Sequence, residues 1–380
     1  MNIFILCDYY PPSRGGIQTH CYELTEYLKK NGDSVTVFTK KMNRNKEHIR
    51  EAPFIDIKYL RGLSSMLSLT IFLIKAFLKE KPDIVHSHSY QPTLAAILAK
   101  KITKTKVQIV MTSHGAVAES TVTGRPFIYR KTFGALTKFL EIYSIKNSDF
   151  VISVDKYFEE YALKYIPRAK IKTIPNWVDT DIFNKNNTKN EIEELSGRSI
   201  IICCPRRLDK KNGLEYSIKA FALLQKYIKN SKLWLVGGGD YESPLRKLVK
   251  ELSLEDKVVF FGYKRREEMP YYMNASDIIL LTSPLGNFCF TLLEALACDK
   301  IVVATNVGNT LDFQNINSNT MILCEQEIND IARTLKNTID GRYKTDKIQK
   351  AALEAVKNNY SKDVLLKKIT GVYEKQIKSK

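Results

Sequence analysis

The stretch Ser283–Lys300, SPLGNFCFTLLEALACDK, follows a short aliphatic run, Ile278–Leu281, and sets one carboxylate, Glu294, a turn inside a predicted helix. A loop between a parallel strand and the helix after it is where α/β enzymes hold phosphate, because free backbone N–H groups and the positive end of the helix dipole favour anions. A carboxylate one turn further on cannot face those phosphates without repulsion, but it can accept hydrogen bonds from a ribose diol. Glu294 therefore reads as a nucleoside anchor; the plain alternative is a solvated helical glutamate.

The rhythm of apolar run, loop and helical spacing extends in both directions. Strands are predicted near Ile3–Cys7, Val35–Thr39, Ile55–Tyr59, Ile84–His88, Val107–Ser113 and Phe150–Val154. After a break the rhythm restarts near Ile200–Cys204, Leu233–Val236, Val258–Phe261, Ile278–Leu281, Ile301–Ala304 and Met321–Cys324. Ile17, Cys21, Leu24 and Leu28 fall at i, i+4, i+7 and i+11, one face of a predicted helix. Strands alternating with helices imply parallel sheets covered on both faces, hence an α/β chain of two doubly wound, Rossmann-like domains. The periodicity breaks around Pro175 and the polar run Asn184–Asn190, which divides the chain into domains at 1–175 and 176–360 with a last helix over 361–380.

Composition narrows the function. A chain of 380 residues, 44% hydrophobic and 10% aromatic, has cores large enough for two ordinary domains and is neither disordered nor fibrous. Its seven cysteines include no CxxC pair and its five histidines no HExxH spacing, so buried thiols in a reducing compartment are expected and no metal centre. The first residues, MNIFILCDYY, lack the basic lead and cleavage site of a signal peptide. The uncharged apolar stretch Gly62–Ile74 is shorter than the ~20 residues of a spanning helix. A cytoplasmic location is expected.

The net charge of +18 is uneven: residues 1–190 carry 29 basic and 17 acidic side chains, residues 191–380 carry 30 and 24. Within Gly124–Phe139, GRPFIYRKTFGALTKF, the cations Arg125, Arg130, Lys131 and Lys138 alternate with aromatic side chains, a pattern suited to an anionic membrane surface on which the protein would sit peripherally. The alternative is an amphipathic helix with a solvated basic face. No nucleic acid partner is expected, since no helix-turn-helix, zinc-finger or RRM-type signature accompanies the charge.

Two loops carry further chemistry. In YYPPSRGGIQTH the pair Gly15-Gly16 precedes the first helix, where a backbone without side chains lets a ligand approach closely. In CCPRRLDKKNGLEY the strand ends at Pro205, Arg207 and Lys211 lie in the loop, and Gly213 opens the next helix. Two cations held there can clamp a diphosphate and neutralise it as it leaves. The alternatives are an ordinary Gly-Gly turn and an exposed basic loop.

Taken in order, PPSRGGIQTHCYELTEYLKKNGDSVTVFT, PDIVHSHS, IPNWVDTDIF, PRRLDKKNG, LVGGGDYE, VVFFGYKRREEMPYYMNASDIILLTS and LLEALACDKIVVATNVGN resemble the family-4 retaining glycosyltransferases of GT-B fold over nearly the whole chain. The resemblance implies an N-terminal acceptor-binding domain and a C-terminal nucleotide-sugar-binding domain facing a central cleft, with the last helix crossing back to the first. It implies a nucleotide diphosphate sugar donor, a hydroxyl acceptor such as a lipid-linked or envelope glycan precursor, and no cofactor. Arg207 and Lys211 would hold the diphosphate, Glu294 the ribose, and the N–H groups of Cys289, Phe290 and Thr291 the distal phosphate. Gly16 would lie beside the diphosphate and His114 would face the donor sugar. His86 and His88, at the end of the preceding strand, would line the acceptor side, though a core histidine satisfied by its neighbours also fits either.

The chain departs from the family pattern in two places. The first glutamate of the usual Glu-x7-Glu pair falls at Gly286, with Asn287-Phe288-Cys289 in place of Gly-Phe-Gly, so the sugar pocket is expected to be roomier and less polar. Lys211 lies one residue before the usual lysine position, which Asn212 occupies. Two other functions share the architecture: a nucleotide-sugar epimerase, which would need a carboxylate pair for ring-proton abstraction, and a binding subunit without catalysis.

Overall fold

Near-continuous aliphatic runs such as Ile200–Cys204 (IIICC) and Ile278–Leu281 (IILL) are buried on both faces, which only a parallel sheet covered on both sides allows. The computed structural model describes residues 1–11, 13, 15–40, 49–52, 61–115, 127–283, 290–307 and 309–379. Within them β1 (Asn2–Leu6), β2 (Ser34–Lys40), β3 (Ile49–Ala52), β4 (Ile84–Ser87), β5 (Gln108–Ser113), β6 (Phe150–Ser153) and β7 (Ile171–Thr173) form one parallel sheet, in the order β3-β2-β1-β4-β5-β6-β7. A second parallel sheet joins β8 (Ile200–Cys204), β9 (Ser231–Val236), β10 (Val258–Gly262), β11 (Ile278–Leu281), β12 (Ile301–Thr305) and β13 (Ile322–Cys324), in the order β10-β9-β8-β11-β12-β13. Both are doubly wound and α/β, as the strand–helix alternation predicts.

Each sheet belongs to its own compact unit, Met1–Pro175 with Leu366–Lys380, and Asn176–Leu365. The first core stacks Phe4 against Phe38 and Phe77, with ring centroids 4.9 and 6.2 Å apart. In the second, Ile202, Leu233 and Leu235 meet Ile218, Phe221, Ile331 and Leu335 from the flanking helices. The helix Lys362–Lys378 turns Leu366, Ile369, Val372 and Tyr373 into the first unit. All six described cysteines are buried free thiols, and burial pushes those of Cys204, Cys298 and Cys324 up to about 12. Among the described residues no helix is long and apolar enough to cross a membrane.

One device fixes strand register three times. Asp83, Asp149 and Asp277 each stand immediately before a strand, and each carboxylate accepts the backbone N–H of a residue on the neighbouring strand: Asn2 at 2.8 Å, Ile109 at 2.7 Å and Ile201 at 2.7 Å. The aspartate's own N–H returns a bond to the same residue's carbonyl at 2.8, 2.9 and 2.9 Å. A one-residue slip would break both bonds and turn the buried face outward.

The structure departs from expectation at two points. The sequence does not announce β3 or β7: both are edge strands of four and three residues carrying charged side chains, too short to show a period. The expected strand Ile55–Tyr59 lies outside the described residues. Ile17, predicted to face inward from the helix Gly16–Lys30, is 37% exposed, whereas His20 is 1% exposed.

Candidate active site

Ligands of doubly wound sheets bind outside the carboxyl ends of the strands, where strand order reverses. Here it reverses between β1 and β4, and between β8 and β11.

After β8 the chain turns tightly against the glycines that follow β9. A Cβ on Gly237 would meet the Arg206 carbonyl oxygen at 2.1 Å, and one on Gly239 the Leu208 carbonyl oxygen at 2.4 Å, so only glycine lets the two loops touch. The Arg206 Nη2 donates to Asn212 Oδ1 at 3.1 Å and to Ser283 Oγ at 2.5 Å, tying the loop after β8 to the loop after β11. Asn212, in the place where the family usually has lysine, also donates to the Arg207 carbonyl at 2.8 Å and so shapes the loop. Arg207 and Lys211 are left exposed; the Arg207 side chain is 61% exposed and its Nε lies 3.2 Å from Asp209 Oδ2.

Glu294 is not the solvated glutamate of the plain alternative. It is 8% exposed, and its Oε1 lies 3.3 Å from Nη1 of Arg266, whose guanidinium sits over the rings of Phe183 at 5.1 Å and Phe290 at 5.7 Å. Phe290 and Thr291 open the helix Phe290–Ala297 and are half-buried. Gly286, Asn287 and Cys289 lie outside the described residues. Arg206 and Arg266 escape sequence analysis: each belongs to a run of charged residues, RR or KRREE, in which spacing does not tell the inward member from the outward ones.

In the first unit, Gly16 begins a fifteen-residue helix, Gly16–Lys30, behind β1, and among the described residues no side chain caps it. Ser89 Oγ donates to Asp8 Oδ2 at 3.2 Å, joining the loops after β1 and β4. His88 follows β4, His114 follows β5, and the His88 Nδ1 lies 3.3 Å from the His114 Nε2. His20 sets its ring edge-on to both, with centroids 5.1 and 4.8 Å away. His86 stands behind His88, wholly buried, with Nδ1 against the Tyr373 hydroxyl at 2.5 Å and Nε2 against the Thr112 hydroxyl at 2.6 Å. Burial, and then the neighbouring imidazoles, push the pKa values of His86, His88 and His114 well below the ordinary histidine range, so these rings are neutral at neutral pH. Nothing in the sequence marks His20, because only the fold brings it beside His88 and His114.

Two Rossmann-like units with loops gathered at each switch point define the GT-B class. Residues 14–182 match the family model Glycosyltransferase Family 4, and residues 185–355 match Glycosyl transferases group 1. The chain belongs to the family-4 glycosyltransferases of GT-B fold. Among its relatives is the UDP-Gal:alpha-D-GlcNAc-diphosphoundecaprenol alpha-1,3-galactosyltransferase of Escherichia coli, 28% identical over 73% of this chain and 69% of that one. Its fold is shared by sucrose-phosphate synthase from Thermosynechococcus elongatus, with TM-score 0.84, 19% identity, and 100% and 99% of the two chains covered. It is shared too by Anabaena HepE in complex with UDP, with TM-score 0.78, 17% identity, and 99% and 100% covered. The protein is a glycosyltransferase.

Proposed function

We propose that the enzyme transfers a sugar, with retention, from a nucleoside diphosphate sugar to a hydroxyl of a lipid-linked or envelope glycan precursor. The observation that carries this reading is Glu294, a carboxylate buried one turn into the helix behind β11 and held by Arg266. Its charge repels phosphate and suits a ribose diol. The 176–360 domain holds the donor, with Arg207 and Lys211 on the diphosphate and the N–H groups of Cys289, Phe290 and Thr291 on the distal phosphate. Gly16 approaches the diphosphate, His114 faces the sugar, and His88 lines the acceptor side with His86 buttressing it from behind. Cations and oriented N–H groups stabilise the departing diphosphate, and orientation of donor and acceptor lowers the barrier further. The names of the Escherichia coli relative and of the HepE complex support a uridine nucleotide and a diphosphate-lipid acceptor.

An anionic membrane surface fits this acceptor. On the helix Arg61–Glu80 the exposed side chains Leu67, Ile71 and Leu78 share one stripe, flanked by exposed Lys75 and Lys79. A basic, apolar face of this kind suits the boundary of headgroups and acyl chains. The segment Gly124–Phe139 would add Arg125, Arg130, Lys131 and Lys138; it lies largely outside the described side chains.

The test is to incubate the protein with UDP-, GDP- and ADP-sugars and a diphosphate-lipid saccharide, following nucleoside diphosphate release and the anomeric configuration of the product. Acceptor-dependent release, with the anomeric configuration of the donor kept in the product, is expected. Sugar interconversion without release, or nucleotide binding with neither, refutes the proposal.

A further inference from the structure

We propose that His20, His88 and His114 form a zinc site with one open position. Their ligand nitrogens come from three separate segments, the helix behind β1, the end of β4 and the end of β5, and all lie within 4.8 Å of one another. Two nitrogens each about 2.0–2.1 Å from a tetrahedral zinc stand about 3.3 Å apart. That is the separation of the His88 Nδ1 and His114 Nε2, 3.3 Å. The third imidazole, that of His20, stands edge-on to both, with its ligand nitrogen within 4.8 Å of theirs.

The chemistry of the donor set agrees. Imidazole suits zinc, and three protein nitrogens with a fourth position left to water or substrate are the ligand set of an open zinc site. The His88 Nε2 is buried without a hydrogen-bond partner among the described residues, which leaves Nδ1 as the nitrogen that ring presents to the cluster. His86 takes no part as a ligand, since the Tyr373 and Thr112 hydroxyls occupy both its nitrogens. It backs the His88 ring at a centroid distance of 4.3 Å and fixes its position.

A zinc ion here would hold the imidazole of His114 on the metal. Only the consequence for catalysis, inhibition by zinc, rests on the role proposed above for that residue; the binding site itself does not.

The experiment uses the full chain, stripped with a chelator and dialysed against zinc chloride, with retained metal counted by plasma emission. About one equivalent is expected on the wild type, with a melting point raised by zinc through mass action, and none on His20→Gln, His88→Gln or His114→Gln. Wild type retaining no zinc, or folded variants retaining as much as wild type, overturns the proposal. If the variants do not fold, cobalt(II) loaded on the wild type decides. The intense visible absorption of a tetrahedral site is expected, and the weak spectrum of an octahedral one overturns the assignment. Unaltered zinc binding with no transferase activity would separate failure of the functional reading from failure of the site.

Discussion

Replacing Glu294 by glutamine keeps the side-chain volume and one acceptor while deleting the charge that faces Arg266. The two side chains retain 10% and 19% exposure, so each depends on the other more than on water. Removing one member of a buried pair costs ~3–5 kcal/mol, because the partner is left desolvated. Here the loss is softened, since the glutamine carbonyl still offers an acceptor to a guanidinium that stays covered by the rings of Phe183 and Phe290. A net destabilisation of about 2 kcal/mol follows, which for a domain of 150–250 residues lowers Tm by about 4–8 °C. A hydrogen bond to a charged acceptor contributes ~1.5–3 kcal/mol and one to a neutral acceptor ~0.5–1.5. The ribose should therefore bind about 1–2 kcal/mol more weakly, a rise in Kd of roughly 5–30-fold. Isothermal titration with the best ligand among UDP, GDP and ADP reads this directly, and inorganic pyrophosphate is the control, since Glu294 is assigned to the nucleoside and not to the phosphates. Unchanged nucleoside diphosphate affinity with lost turnover, or an equal loss toward pyrophosphate, would refute the role given to this carboxylate.

Arg207→Ala should weaken nucleoside diphosphate binding most at low salt, because its exposed charge is screened within ~10 Å at 0.1 M ionic strength; a Kd penalty independent of salt contradicts an ionic role. Burial depresses the pKa values of His86, His88 and His114 in the folded state, whereas the unfolded chain takes up these protons near pH ~6.5. Their contribution is therefore present above pH ~6.5 and lost on acidification, at up to about 1.4 kcal/mol per pH unit for each ring. Urea denaturation of wild type and His88→Gln between neutral and mildly acidic pH checks this, and an identical pH slope in the two proteins counts against it. Gly237→Ala would drive a Cβ onto the Arg206 carbonyl oxygen, a contact of 2.1 Å. It should lower Tm and nucleotide affinity together, and a variant as stable as wild type would show that the loops after β8 and β9 can part freely.

What the sequence discloses tracks how local each physical signal is. Strands buried on both faces, such as Ile278–Leu281, announce themselves as unbroken aliphatic runs, whereas β3 and β7 sit at the sheet edges with Arg50 and Lys172 among few residues. Glu294 stands out because helical spacing and one charge suffice to frame its problem. Its partner Arg266 does not, since only the fold brings the turn after β10 beside that helix. Ile17 and His20 are neighbours around a helix, and hydrophobicity favours the first as the inward residue. The imidazoles of His88 and His114 draw the second inward instead, a preference no single segment contains.

The bond between His86 and Tyr373 spans 287 positions of chain. While the protein is being made, the first unit emerges from the ribosome with its sheet complete but with the site of Leu366, Ile369 and Tyr373 still open. It must wait until all of Asn176–Leu365 has been synthesised before that site is filled. A nascent chain halted after its second unit would thus carry an exposed apolar seat and an unpaired buried imidazole nitrogen, the sort of surface chaperones hold. Losing the final seventeen-residue helix, Lys362–Lys378, should accordingly damage the beginning of the protein, with the His86 environment the first to register it.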